Sequence, residues 1–256
     1  MTESGDPTDP NRVLPLLWRR TAPPAPARTG RKPRLSLDAV IAAAVAVADT
    51  EGLEAASMAR VAARLGVATM TLYTYVPSRA ELVDLMIDEV LEGRNLPGDA
   101  ASRKDWRRLL LRYADSTLTM YREHPWLSQV PSVRPPLGPG TFREREYVLA
   151  AVAAAGVPLA RVNEAAVALT MFVTSAARQE GENVLLRRAT GKSTDAWWVE
   201  RGQFWEDWFD VERHPTMTRL WEADAYGGGT EEQAAAAFGY GLRLLLDGIA
   251  DAAGKG

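Results

Sequence analysis

Only Val67 and Ala68 separate Gly66 from the segment TMTLYTY, and this spacing constrains the chain more than any other feature. Upstream, Ser57 is placed to cap a short helix whose Met58, Val61, Ala62 and Leu65 share one face, and Gly66 supplies a left-handed stop. So short a connection fits a turn between two crossed helices. TMTLYTY therefore reads as a helix, although its threonines and aromatics favour a strand on propensity alone. Before this pair, Ser36 opens a helix in which Leu37, Val40, Ile41, Ala44, Val45 and Ala48 recur at three-and-four spacing, closed by Gly52. After it, Ser78-Arg79-Ala80-Glu81 has the pattern of a capping box and leads a fourth helix through Leu82, Leu85, Met86 and Val90 to Gly93.

Helical periodicity recurs further along, while the segment Asp195 to Phe209 is unusual for its tryptophans. An amphipathic segment from Asp105 to Glu123 is broken by Pro125, and a loop containing PSVRPPLGPG precedes a helix around Phe142 to Ala155. Pro158 suits the first turn of a long helix to about Arg188, with Ala165, Ala166, Leu169, Phe172, Val173 and Ala176 on one face. Thr230-Glu231-Glu232-Gln233 reads as a second capping box opening a terminal helix with a Phe238, Gly241, Leu242, Leu245 and Ile249 stripe. No segment reads as a strand, so the fold class is all-α. The chain divides into an arm over 1–34, a helix-turn-helix unit over 35–80 and a larger helical domain over 81–256.

Composition excludes several chemistries. With no cysteine and two isolated histidines, His124 and His214, neither a thiolate site nor a nucleophile and base pair stands out. A His-Glu-x-x-His motif and a glycine-rich phosphate cradle after a strand are also missing. An enzyme is therefore not expected, and no catalytic residue, metal ligand or cofactor is assigned. The start MTESGDPTDPNRVLPLLWRR lacks the order of a secretory signal, and no apolar run reaches the roughly 18 residues that span a bilayer. A cytoplasmic location is expected.

The formal net charge of -3 conceals an asymmetry: Arg19, Arg20, Arg28, Arg31, Lys32 and Arg34 lie in one stretch without an acid. With TAPPAPARTGRKPR, this composition is that of a flexible arm or of a solubilising tail, carrying an apolar island, Leu14 to Trp18, of unknown target. A DNA reader needs a narrow helix presented to the major groove with side chains short and polar enough to meet bases or phosphates. In ATMTLYTY, Leu72 and Val76 can pack inward, leaving Thr69, Thr71, Thr74 and Tyr75 outward, with Met70 free to meet a thymine methyl. An ordinary surface helix would carry lysine, glutamate and glutamine instead.

From Ser36 to about Leu91, and above all in ADTEGLEAASMARVAARLGVATMTLYTYVPSRAELVDLM, the chain resembles the DNA-binding domain of the TetR family of bacterial transcriptional regulators. The later YREHPWL and RPPLGP segments and the two long helices resemble the tetracycline-repressor-like partner domain more loosely. The resemblance implies a homodimer, usually a repressor of a palindromic operator, released by a small molecule bound in an effector-binding and dimerisation domain over 81–256. It implies that Thr69, Met70 and Thr71 read bases or nearby phosphates, that Tyr73, Tyr75 and Arg79 meet the phosphate backbone, and that Arg60 and Ser57 sit where the preceding helix faces DNA. Ala68 departs from the family's usual serine or threonine. For Tyr73 and Tyr75, packing is the alternative role.

Immediately before Ser36, Arg31, Lys32 and Arg34 are placed to extend the footprint into an adjacent minor groove. The helices near 158–188 and 231–253 are the implied dimer interface, and Ala234 to Ala237, Gly239 and Gly241 leave room for close approach, between subunits or within one. Tyr113, Met120, Tyr121, Trp126, Phe172 and the segment Trp197 to Trp208 are candidates to line an apolar effector pocket, each equally readable as core. A magnesium-tetracycline complex is not expected, because the loop SQVPSVRP lacks a histidine. An apolar or aromatic effector fits better. The rival reading is a helical small-molecule-binding or interaction protein without operator binding.

Overall fold

The computed structural model describes residues 11–21, 35–94, 96 and 105–254. Among them it holds twelve α-helices and no strand: α1 (Leu14–Leu17), α2 (Leu37–Glu51), α3 (Met58–Leu65), α4 (Thr69–Leu72), α5 (Arg79–Gly93), α6 (Trp106–Glu123), α7 (Pro139–Ala155), α8 (Leu159–Thr190), α9 (Thr194–Val199), α10 (Gln203–Asp207), α11 (Pro215–Glu222) and α12 (Thr230–Gly254). A 3-10 helix, Pro125–Gln129, follows α6.

The head is built as its punctuation dictates. Ser36 Oγ accepts from Ala39 N at 3.1 Å and Ser57 Oγ from Arg60 N at 3.2 Å, each satisfying a donor of an open helix end. Gly66 has φ 68° and its N–H reaches the Ala63 carbonyl while Val67 N–H reaches that of Ala62, a paired closure that needs the left-handed conformation. α2, α3, α4 and α5 close over Val40, Ile41, Ala44, Val61, Leu72, Val76, Leu82, Leu85 and Met86. This core does not stop at residue 80. It takes in the rest of α5 and continues through Met120, Tyr121, Trp126 and Leu127 to Ala177 of α8, so head and body share packed side chains. A second core joins α6, α7, α8 and α12 around Leu110, Tyr113, Val148, Val152, Leu169, Val173, Leu242 and Leu246.

Within the arm read as flexible, residues 11–21 are ordered against the head. The island Leu14 to Trp18 forms α1, and Leu17 is only 2% exposed in the head core. Trp18 donates its indole N–H to the Leu137 carbonyl at 2.8 Å and faces the Phe142 ring at 6.2 Å, so α1 touches the start of α7. Arg19 and Arg20 hydrogen-bond Asp38 of α2 and Glu89 of α5, and Arg12 pairs with Glu81.

Glu81's pairing with Arg12 also undoes half of the first capping box. Ser78 Oγ accepts from Glu81 N at 3.4 Å, but the glutamate turns to Arg12 instead of reaching back to its own helix. The second box fails in another way. Thr230 is the first residue of α12 rather than its cap, and its backbone N–H is taken at 2.8 Å by Asp195 of α9. α7 starts three residues before the expected Phe142, because Asp88 of α5 caps it from across the fold: Thr141 N donates to Asp88 Oδ1 at 3.0 Å. A Cβ on Gly138 would stand 2.3 Å from that carboxylate, which is why this approach needs glycine.

Candidate functional site

α4 is a single turn carried on from Leu72 by the hydrogen bonds of Tyr75 N and Val76 N to the Leu72 carbonyl. Leu72 and Val76 are fully buried, which turns the opposite face outward. There Met70 is 73% exposed and Tyr73 44%, with Thr69 and Thr71 partly open beside them. Thr74 is exposed, but its hydroxyl bonds back to the Thr71 carbonyl at 2.6 Å. Ala68 leaves the start of α4 without a side-chain cap, and its carbonyl accepts from Thr71 N at 2.9 Å.

Tyr75 sits differently from its neighbours. It is half-buried against the head core and its hydroxyl donates to the Leu35 carbonyl at 3.0 Å. Arg60 lies on the exposed face of α3 and forks onto Glu51, with Nε to Oε2 at 2.9 Å and a second bond to Oε1 at 2.8 Å. That hydrogen bond raises the Arg60 pKa and lowers that of Glu51. Arg79, exposed at the start of α5, donates to the Leu53 carbonyl at 2.6 Å. The side chain of Ser57 is spent as a helix cap. Arg31, Lys32 and Arg34 lie outside the described residues. The surface thus joins exposed hydroxyls, an aromatic and a methionine to two guanidiniums at its edges, the chemistry of a groove-reading helix flanked by backbone contacts.

Away from this surface, a cavity of about 530 Å³ opens between α5, α6, α7 and α8. Ile87, Leu91, Met120, Leu127, Val148 and Leu149 supply apolar walls, and Thr117, Asn163, Thr170 and Thr174 the polar points. Its volume lies within the range of sites for drug-sized molecules. Of the sequence candidates, Met120 and Tyr121 line it. Arg178 donates to the Val130 carbonyl at 2.7 Å and to that of Ser128, tying α8 to the loop that roofs the cavity. Burial raises the Tyr121 hydroxyl above the usual tyrosine value, against the opposing charge and hydrogen bond of Arg178.

The other aromatic candidates take different places. Tyr113 is buried in the second core. Trp126 is buried where head meets body, and its indole N–H donates to Asp49 Oδ1 of α2 at 2.8 Å, an oxygen that His124 Nδ1 approaches at the same distance. Phe172 stacks on Phe238 of α12 at 5.6 Å, over Gly241. The tryptophans from Trp197 to Trp208 stand on the surface; Trp197 meets Trp198 edge-on at 4.9 Å and Trp198 lies tilted against Trp205 at 6.0 Å. Sequence reasoning missed the wall contributed by α5 and by the Asn163, Val167, Thr170 and Thr174 face of α8. Those residues repeat at helical spacing, but on a different face from the stripe that marks the core.

No group of three or more histidine, aspartate or glutamate side chains suited to a metal ion occurs among the described residues. No helix among them is long and apolar enough to cross a membrane.

Comparison with known proteins agrees with both halves. Residues 40–86 match the family described as bacterial regulatory proteins, tetR family, and residues 97–253 match the tetracyclin repressor-like C-terminal domain. The chain is 39% identical over 248 residues to the HTH-type transcriptional repressor DrrR1 of Streptomyces coeruleorubidus, covering 97% of this chain and 88% of that protein. In fold it is similar to apo ActR of Streptomyces coelicolor, with a TM-score of 0.70 at 23% identity over 88% of this chain and 99% of that one. It is similar also to ActR in complex with actinorhodin, with a TM-score of 0.69 at 23% identity over 86% and 96%. These relatives are regulators, not enzymes. The chain belongs to the TetR family of bacterial transcriptional regulators, and is a DNA-binding protein with a helical ligand-binding domain.

Proposed function

We propose that the protein is a repressor that binds a palindromic operator as a homodimer and leaves it when a small apolar or aromatic effector enters the cavity between α5, α6, α7 and α8. The observation that carries this reading is the pairing of an outward hydroxyl-rich α4 with that cavity, joined by one continuous core. Thr69, Met70 and Thr71 read bases, and Tyr73, Arg60 and Arg79 hold the phosphate backbone. Arg31, Lys32 and Arg34 extend the footprint into a minor groove. The division into an arm, a reading head and an effector domain follows from these roles, and the site of action is the cytoplasm.

α8 and α12 support the homodimer. Gly241 uses its room within the subunit, since a Cβ there would lie 2.6 Å from the Phe172 ring. Ala234 to Ala237, Tyr240 and Leu244 remain exposed on α12, as does Leu186 on α8, and this apolar surface is available to a second copy. That DrrR1 is a repressor and that ActR binds actinorhodin supports the repressor and aromatic-effector parts.

The effector part is tested by screening small molecules for a thermal shift of the protein, then titrating each hit against the protein bound to DNA from upstream of its own gene. An aromatic hit that raises the melting temperature and releases DNA is expected. A hit that stabilises the protein without changing DNA affinity would favour a binding protein of the same fold without regulated release. Substituting Val167→Trp is expected to weaken the hit by filling the cavity mouth.

A further inference from the structure

The cavity between α5, α6, α7 and α8 has a charge balance that its apolar walls conceal. The described residues that line it include one acid, Glu144, and two arginines, Arg145 and Arg178. Glu144 is already matched by the buried Arg94. The two arginines are bonded to neutral groups. Arg178 is held by the Ser128 and Val130 carbonyls and by the Tyr121 hydroxyl. Arg145 reaches the Asn163 amide oxygen at 3.4 Å, beyond the usual length of a hydrogen bond. Neither guanidinium has an ion-pair partner among the described residues. Beside apolar surface, such a charge attracts an anion more strongly than it would in open water, because less solvent screens it.

A second observation lies on α8. Asn163, Val167, Thr170, Thr174 and Arg178 recur at three-and-four spacing and form one face of the helix along the cavity. A helical threonine often returns its hydroxyl to the carbonyl of the preceding turn, as Thr117 does to Tyr113 at 2.7 Å and Thr190 to Leu186 at 2.8 Å. Among the described residues, the Thr170 and Thr174 hydroxyls have no such partner. Both side chains are half-buried and line the cavity, so two free hydroxyls stand between the Asn163 and Arg178 ends of one face. This lining suits a molecule that brings oxygen atoms and a negative charge. An ammonium would meet a net positive wall whose one carboxylate is already taken.

We propose that the effector is an aromatic carboxylic acid, an inference that rests on the reading of this cavity as the effector site. The carboxylate pairs with Arg145 beside Asn163, oxygen substituents meet Thr170 and Thr174, and the rings lie against Met120, Val148 and Leu149. Arg178 keeps its carbonyl partners and adds its charge at the other end of the α8 face.

The test is fluorescence titration with three dansyl compounds of nearly equal size: dansylglycine, which ends in a carboxylate, its neutral primary amide, and dansylethylenediamine, which ends in an ammonium. Saturable binding of dansylglycine is expected, with the amide about tenfold weaker and the amine weaker still. Arg145→Gln is expected to bring the acid down to the affinity of the amide and to leave the amide unchanged. Arg143→Gln, which removes the same charge from α7 outside the cavity, is expected to keep the preference for the acid. Thr170→Val with Thr174→Val is expected to weaken acid and amide alike by about fivefold, since both carry the sulfonyl oxygens. The proposal is overturned by any of four results: no saturable binding of dansylglycine, equal affinity for the three compounds, a preference that survives Arg145→Gln, or affinities untouched by the double valine substitution. Val167→Trp separates these results from a failure of the effector reading. Equal binding of the three compounds that is lost in Val167→Trp removes the charge preference alone, whereas dansylglycine binding that persists in that variant removes the cavity itself as the ligand site.

Discussion

Tyr73 and Tyr75, two residues apart, show what a short helix does to similar side chains. Tyr73 is open to solvent, while Tyr75 turns toward the core and bonds the Leu35 carbonyl. The inward Leu72 and Val76 were legible in the sequence from their spacing, because burial follows period. The fate of Tyr75 was not, because its acceptor lies 40 residues earlier in the chain. The same limit applies to Arg60, whose position on α3 follows from the pattern but whose partner Glu51 belongs to another helix. Base reading and backbone anchoring predict different responses. Replacing Thr69 with valine is expected to change the order of preference among operators substituted base by base, measured by fluorescence anisotropy. Tyr73→Phe is expected to weaken all of them equally, by about 0.5–1.5 kcal/mol, the worth of one hydrogen bond. Uniform weakening by the valine would remove Thr69 from the reading set.

At the level of elements, helix existence was legible for α2 to α8 and for α12, where period and stops agreed, but not for the short α9, α10 and α11, whose tryptophan-rich stretch carries no clear helical stripe. The starts of α7 and α12 were not, because their caps come from Asp88 and Asp195 on other helices, contacts that no local pattern encodes. α1 was visible only as an apolar island; its docking depends on acids in α2 and α5 brought together by folding. This docking has a pH signature. Asp38 is partly desolvated, which raises its pKa, but the hydrogen bond and charge of Arg19, with Arg20, outweigh this and hold the carboxyl below its ordinary value of 3.8. A depressed folded value means the stabilisation is fully present above 3.8 and is lost as pH falls through the folded value. The Asp38 carboxylate is itself more than half exposed, so the effect is under about 1 kcal/mol. Thermal unfolding of the wild type is expected to lose more stability over that acid range than Asp38→Asn, and parallel curves would show that the pair contributes nothing.

For the molecule as a whole, the first core runs from Leu72 of α4 to Met120 and Tyr121 at the cavity, a packed connection between the head and the candidate effector site. If effector and operator favour different head positions, each must weaken the other's binding by the same factor. The all-helical architecture and the reading head were legible because they rest on local periodicity. The cavity was legible only in part, through Met120 and Tyr121, since its walls are helix faces that meet far apart in sequence. Operator reading by α4, in two copies together, is open to nuclease footprinting on the DNA upstream of the protein's own gene, with stoichiometry followed by analytical ultracentrifugation. An inverted repeat protected by an even number of chains is expected, with half-sites spaced by about 34 Å or a multiple of it, and protection lost in Tyr73→Phe combined with Thr69→Val. A single protected half-site bound by one chain, or protection unchanged by that double substitution, would contradict it.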